Sequence, residues 1–226
     1  LRREQITFQV ALITPLAHVK GYAAPETKAT VERARLLIES GRVGEALGVE
    51  EEYERLAEKL AESMGAPRYR GRQLAVWIYA KGITDIRAMS DLPKDFREAL
   101  AERAEIAVPE IERRTPSQDG SQKLVLRYGD GARVQSVLMP DDDRLTLCLS
   151  TQVGCGFGCA FCYTGTMGLE RNLTAGEIVG QVLAARAGLE PGARITHIVY
   201  MGMGEPLANY ASVLAAVRRM TEPVPE

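Results

Sequence analysis

Three cysteines spaced C-x-x-x-C-x-x-C, namely Cys155, Cys159 and Cys162, are the residues of this chain best suited to chemistry. Thiolates are soft ligands that favour iron–sulfur clusters and zinc. Three of them this close can hold three irons of a 4Fe–4S cluster and leave the fourth iron open to a substrate. A closed four-thiolate site cannot do that. The trio follows a strand-like run from Leu145 to Val153, which contains the remaining cysteine, Cys148. A structural zinc site with Cys148 as fourth ligand is the alternative. Against it, Cys148 lies inside that strand-like run, seven residues before Cys155, whereas zinc sites usually pair their ligands in tight C-x-x-C knuckles.

A second motif, Gly202-Met-Gly-Glu-Pro206, follows the β-branched run from Ile195 to Met201. Glycine lets backbone come close to a ligand, and the Glu205 carboxylate can accept a hydrogen bond from an ammonium group. Alone, such a motif is usually just a turn. His18 and His197 are the only histidines. His197 sits in a strand-like run and reads as core or strand edge. Asp141 to Asp143 reads as a solvated turn.

Several features together resemble the RlmN/Cfr family of radical S-adenosylmethionine (SAM) methyltransferases. They are the cysteine spacing, Phe161 before the third cysteine, the string from Thr146 through Cys155 to Gly168, and Arg171-Asn-Leu-Thr174. The resemblance runs from about Tyr53 to Pro206. It implies a 4Fe–4S cluster on Cys155, Cys159 and Cys162, with SAM chelating the open iron and meeting Gly204 and Glu205. It implies methylation of adenine C2 in 23S rRNA through a methyl-cysteine intermediate, with C8 as the alternative. tRNA, which the family also methylates, stays open as a second substrate. An electron donor such as flavodoxin or ferredoxin is implied as a partner. Cys148 matches the first of two family cysteines outside the cluster, which helps resolve the protein–RNA link and pairs with the departing cysteine. Read from spacing alone, Cys148 is a small buried hydrophobe in a strand. The other family cysteine, the methyl carrier, has no counterpart, because no cysteine follows Cys162. Gln135 stands where the family often has a glutamate proposed as proton acceptor, a role an amide cannot take.

The composition sets bounds. The 226 residues allow one ordinary domain or two small ones, and 46% hydrophobic content is enough to bury a core. Lys plus Arg is 28 against Asp plus Glu 30, a net charge of −2. RNA binding therefore needs a local patch. Arg68, Arg70, Arg72 and Lys81 beside Tyr69 form one, with a solvated helix face as the plain alternative. No run of about 18 apolar residues predicts a membrane span, and no signal peptide is visible. Cysteines confined to 148–162 read as metal or redox chemistry in a reducing compartment, the cytoplasm. A start at Leu1 and an end just after a Pro-rich stretch lead us to expect a fragment, one that would not methylate RNA by itself.

The elements that must position these groups follow from pattern. The fold class expected is α/β: an N-terminal helical accessory module, then the first part of a radical SAM partial (βα)6 barrel, truncated. Residues 1–48 read as a helical segment outside the resemblance. Residues 49–107 read as a helical accessory, RNA-binding-like domain, with helices over 50–64, 68–80 and 95–103. Residues 108–144 read as linker and β-hairpin around Asp130-Gly131, and 145–226 as the partial core. In that core, strand 145–153, a helix from Thr174 opened by a capping box with Glu177, strand 195–201 and helix 210–220 give β–α–β–α order and parallel strands.

Overall fold

The computed structural model describes residues 52–221 apart from 105 and 107. The helices expected before residue 48 lie outside the described residues. Three helices open the described part: α1 (Glu52–Ser63), α2 (Tyr69–Ala75) and α3 (Lys94–Arg103). The expected helix 68–80 is present, but its last turn, Val76–Ala80, widens into a π-helix. Leu74, Ile86, Met89, Leu92 and Leu100 form a small core between these helices, with Trp77 and Ile78 packed on it.

Tyr79, one residue on, packs instead against the second core. The wide turn thus divides consecutive side chains between two cores. Arg186, on the later helix α5 (Ala175–Ala187), donates to the Tyr79 carbonyl at 3.0 Å and the Ala80 carbonyl at 2.8 Å. A guanidinium at the exposed carbonyls of a helix end satisfies acceptors that have no partner in the helix.

The second core is built on a five-stranded sheet, in the order β1 (Glu110–Pro116), β2 (Gln122–Arg127), β3 (Arg133–Asp141), β4 (Arg144–Cys148), β7 (His197–Val199). The hairpin falls at the expected turn, where Tyr128 N–H bonds to the Ala132 carbonyl at 2.9 Å. Strand β1 lies within the stretch read as linker; its charged sequence, Glu-Ile-Glu-Arg-Arg, hid it. Strands β1 to β4 are antiparallel, and β7 adds parallel to β4. Between β4 and β7 the chain runs through α5 (Ala175–Ala187), and α6 (Tyr210–Thr221) follows. The capping box is present: the Thr174 hydroxyl accepts from Glu177 N–H at 3.2 Å and the Glu177 carboxylate accepts from Thr174 N–H at 2.8 Å.

One sheet face carries Leu124, Leu126, Val134, Leu138, Leu147 and Ile198, buried with Ile178 and Val179 of α5 and Val213 and Ala216 of α6. Each large side chain buried there contributes roughly 1.5–3 kcal/mol. By register, Gln135, Val137, Cys148 and Val199 share the opposite face.

The run 145–153 is not one strand. It breaks after Cys148 and resumes as β5 (Gln152–Cys155), which pairs with β6 (Gly168–Asn172) in a separate two-stranded sheet. The break has a cause in Gln181 of α5. Its side chain accepts from Ser150 N–H at 3.0 Å and donates to the Ser150 carbonyl at 2.8 Å, taking both groups that a ladder would need.

Candidate functional site

The β5–β6 ladder closes the base of the cysteine loop. Cys155 pairs with Gly168 and Gln152 with Asn172. Gly154, at φ +73°, lies so close to the Gly168 carbonyl that a Cβ has no room. Inside the loop, Cys162 N–H bonds to the Cys159 carbonyl at 3.0 Å, and the short helix α4 (Tyr163–Thr166) follows. Cys155 is buried; Cys159 and Cys162 are half-buried. Phe161 and Tyr163 stand in solvent at 77% and 82% exposure, so the rim of the loop is aromatic.

Burial, then the neighbouring charges of Cys155 and Cys162, push the Cys159 thiol up, and Glu205 adds to this. Among the described residues no three His, Cys, Asp or Glu side chains stand in a metal-holding arrangement. The loop thus brings the thiols within electrostatic reach without gathering them at one point. As a donor set, three thiols on a tight loop suit a soft metal cluster.

Glu205 stands 3% exposed at the end of the glycine turn. One carboxylate oxygen caps the 3-10 turn Pro206–Asn209, accepting from Leu207 N–H at 3.0 Å. The other, Oε2, is buried with no hydrogen-bond partner among the described residues. Burial pushes its carboxyl above the usual range, with the Leu207 amide pulling the other way. An unpaired buried acceptor is costly, and a cationic donor would relieve it. Gly204 has φ +93°, and a Cβ there would stand 2.7 Å from the Gln152 amide nitrogen. Only glycine fits this turn without strain.

Cys148 sits at the end of β4, between Val137 and Val199. Burial pushes its thiol up, and the Met201 amide facing its sulfur partly offsets this. Gln135 is exposed on β3, on the same sheet face as Cys148, two residues from its partner Val137. His197, on β7, has its Nδ1 2.9 Å from the Thr196 hydroxyl.

Sequence reading missed the residues that hold the turn, Ser150, Gln152, Gln181 and Asn209, all of them buried. The signal was present: Ser150, Thr151 and Gln152 interrupt an otherwise apolar strand run. Asn209 donates to the carbonyls of Thr151 and Leu173, at 2.8 and 2.7 Å.

Residues 52–106 match the family described as the ribosomal RNA large subunit methyltransferase N-terminal domain. A dual-specificity RNA methyltransferase RlmN from Solidesulfovibrio magneticus is 46% identical over 171 residues, covering 74% of this chain and 48% of that protein. The chain belongs to the RlmN family and contains its N-terminal domain. A probable dual-specificity RNA methyltransferase RlmN from Thermus thermophilus is 48% identical over 167 residues, covering 73% of this chain and 47% of that protein. The crystal structure of a radical SAM methyltransferase from Sphaerobacter thermophilus superposes with a TM-score of 0.68 at 46% identity, covering 73% of this chain and 49% of that one. The α/β architecture, a helical module followed by the first part of a radical SAM fold, is therefore a family property. The chain spans about half the length of the curated relatives it matches.

Proposed function

We propose that this chain carries the cluster-binding and SAM-binding part of a radical SAM RNA methyltransferase acting on adenine C2 of 23S rRNA, and of tRNA, through a methyl-cysteine intermediate. One observation carries the reading. A buried carboxylate with an unpartnered oxygen is tied through Gln152 to β6, the strand that closes the three-cysteine loop. Neither a structural zinc knuckle nor a plain turn calls for that oxygen.

In this reading Cys155, Cys159 and Cys162 hold a 4Fe–4S cluster, and Gly204 and Glu205 receive the ammonium of SAM. Bound there, cluster and SAM supply a one-electron route to a carbon radical. The chain's own residues do the rest. Gly204 removes the side chain that would block close approach, and Glu205 Oε2 offers the ammonium its acceptor. Cys148, its thiol pushed up by burial, holds its proton at neutral pH; once ionised it is a correspondingly strong base. The helical module 52–103 is proposed as the part that helps hold RNA, and a small flavin or iron–sulfur protein as the electron source.

Anaerobic reconstitution tests the reading. The chain should take up about four irons with matching sulfide, and the reduced cluster's EPR signal should shift on adding SAM. Changing Cys155, Cys159 and Cys162 to Ala should abolish iron binding. A colourless protein that takes up zinc, or iron retained by the triple variant, would overturn it.

A further inference from the structure

The Gly202–Glu205 turn is held by side chains as well as by backbone bonds. The Ser150 hydroxyl accepts from Met203 N–H at 2.9 Å and donates to the Gln135 carbonyl at 2.6 Å. Gln152 Oε1 accepts from Glu205 N–H at 2.9 Å. Its Nε2 donates to Asn172 Oδ1 at 2.7 Å, on the strand that closes the cysteine loop. The Met203 carbonyl accepts in return from Thr151 N–H at 2.8 Å and Gln152 N–H at 3.2 Å. Behind them, Gln181 Oε1 accepts from the Ser136 hydroxyl at 2.8 Å and from Ser150 N–H at 3.0 Å. Ser150, Gln152 and Gln181 are at most 1% exposed.

We propose that Ser150 and Gln152 are positioning residues that set Glu205 relative to the cysteine loop. The inference rests on the reading of Glu205 as an ammonium acceptor. Two side chains, two residues apart, each grip one amide of the turn, Met203 and Glu205. Gln152 is the sharper of the two, because one amide group joins the turn to β6. Gln152 thus links Glu205 directly to the strand that closes the cysteine loop. Gln181 anchors Ser150 from the helix side, so the bracket is braced against α5 and does not depend on loop packing. Outer groups that orient a binding residue in this way control its affinity without touching the ligand.

Two measurements on Ser150→Ala and Gln152→Met test this. The first is amide hydrogen exchange in the chain itself. Exchange at Met203 and Glu205 should quicken at least about tenfold while β2 and β3 stay as protected as in the wild type. The second compares SAM with its analogue lacking the α-ammonium, on reconstituted protein. Affinity for SAM should fall about tenfold and affinity for the analogue should hold, whereas a merely structural role would weaken both alike. Asn172→Ala, at an exposed position, removes only the β6 anchor and serves if Gln152→Met does not fold. Unchanged protection of the turn, or equal loss for both ligands, overturns the inference alone. A wild-type chain that binds neither ligand overturns the reading of Glu205, and this inference with it.

Discussion

The helical module and the glycine turn are both rich in groups that invite a ligand, and the structure treats them in opposite ways. In the module the cations of the basic patch, Arg68, Arg70, Arg72 and Lys81, have protein partners. Arg68 reaches Glu58 at 2.9 Å and Glu62 at 3.3 Å, and Arg72 reaches Glu58 at 3.1 Å. Lys81 stands 3.8 Å from Asp91 and 3.4 Å above the Trp77 ring. Arg70 bonds to Gln73 at 2.6 Å and lies over Tyr69. At the turn, in contrast, Glu205 Oε2 and the Thr151 hydroxyl are buried with no partner among the described residues. A run of charge in a sequence therefore says less about a ligand than one polar atom that folding has left unsatisfied.

The largest break in this contrast should come from Gly204→Ala. The added Cβ meets Gln152 while the backbone is held at φ +93°, so the turn must shift. A stability loss of about 1–3 kcal/mol is expected, visible as a lower denaturant midpoint. SAM affinity should fall by roughly a hundredfold, because a displaced Glu205 loses its ammonium contact. Unchanged binding would show that the turn does not shape the site.

Glu205→Gln sharpens the contrast by separating ligand binding from stability. Burial raises the Glu205 carboxyl above its ordinary 4.5. The acid form is then the one the fold favours. Its stabilising contribution is complete below 4.5 and is lost as pH rises through the raised value. The Gln variant should therefore gain on the wild type as pH increases, in thermal midpoints compared at pH 5 and pH 8. SAM binding should weaken about tenfold at neutral pH, since a neutral amide replaces a charged acceptor. A variant that is destabilised at pH 8 would mark Glu205 as only a helix cap.

Much of the frame around these sites was legible. The capping box at Thr174, the turn at Asp130-Gly131 and the helix ends depend on neighbours in sequence, and local chemistry fixes them. The break at Ser150 was not, because it depends on Gln181, 31 residues away. The same holds for the π-helical turn, whose residues Trp77 and Tyr79 face different cores. The cysteine loop was legible by type and spacing. That Glu205 would keep one oxygen free could be seen only once Leu207 had taken the other.

A third test probes a paired group that lies between the two regions. Arg171 binds Glu177 at 2.7 Å and Asp130 at 2.7 Å, tying the hairpin turn to β6 and to the start of α5. Burial works against the Glu177 carboxylate, but the Arg171 and Thr174 hydrogen bonds outweigh it and hold its carboxyl below 4.5. The stability this brings is present above 4.5 and lost as pH falls through the lowered value. Arg171→Met should cost about 1–2 kcal/mol at pH 7 and less at a pH low enough to protonate Glu177, read from urea midpoints. An equal loss at both pH values would locate the cost in packing.

The smallest effect is expected in the helical module. Arg68 and Arg72 are more than half exposed where they meet Glu58. Such pairs contribute about 0–1 kcal/mol, since water screens them and two long side chains lose freedom to hold one geometry. Arg68→Ala and Arg72→Ala should each shift the urea midpoint by less than the Arg171 change. RNA affinity at moderate salt decides what these cations are for. Contacts already made to Glu58 and Glu62 compete with phosphate, so each substitution should weaken binding only slightly. Glu58→Gln, which removes the carboxylate the two arginines share and leaves Arg68 only Glu62, should strengthen it. If the arginine variants instead lose most RNA affinity, the ion pairs must open on binding, and the contrast between the two regions would hold only for the free protein.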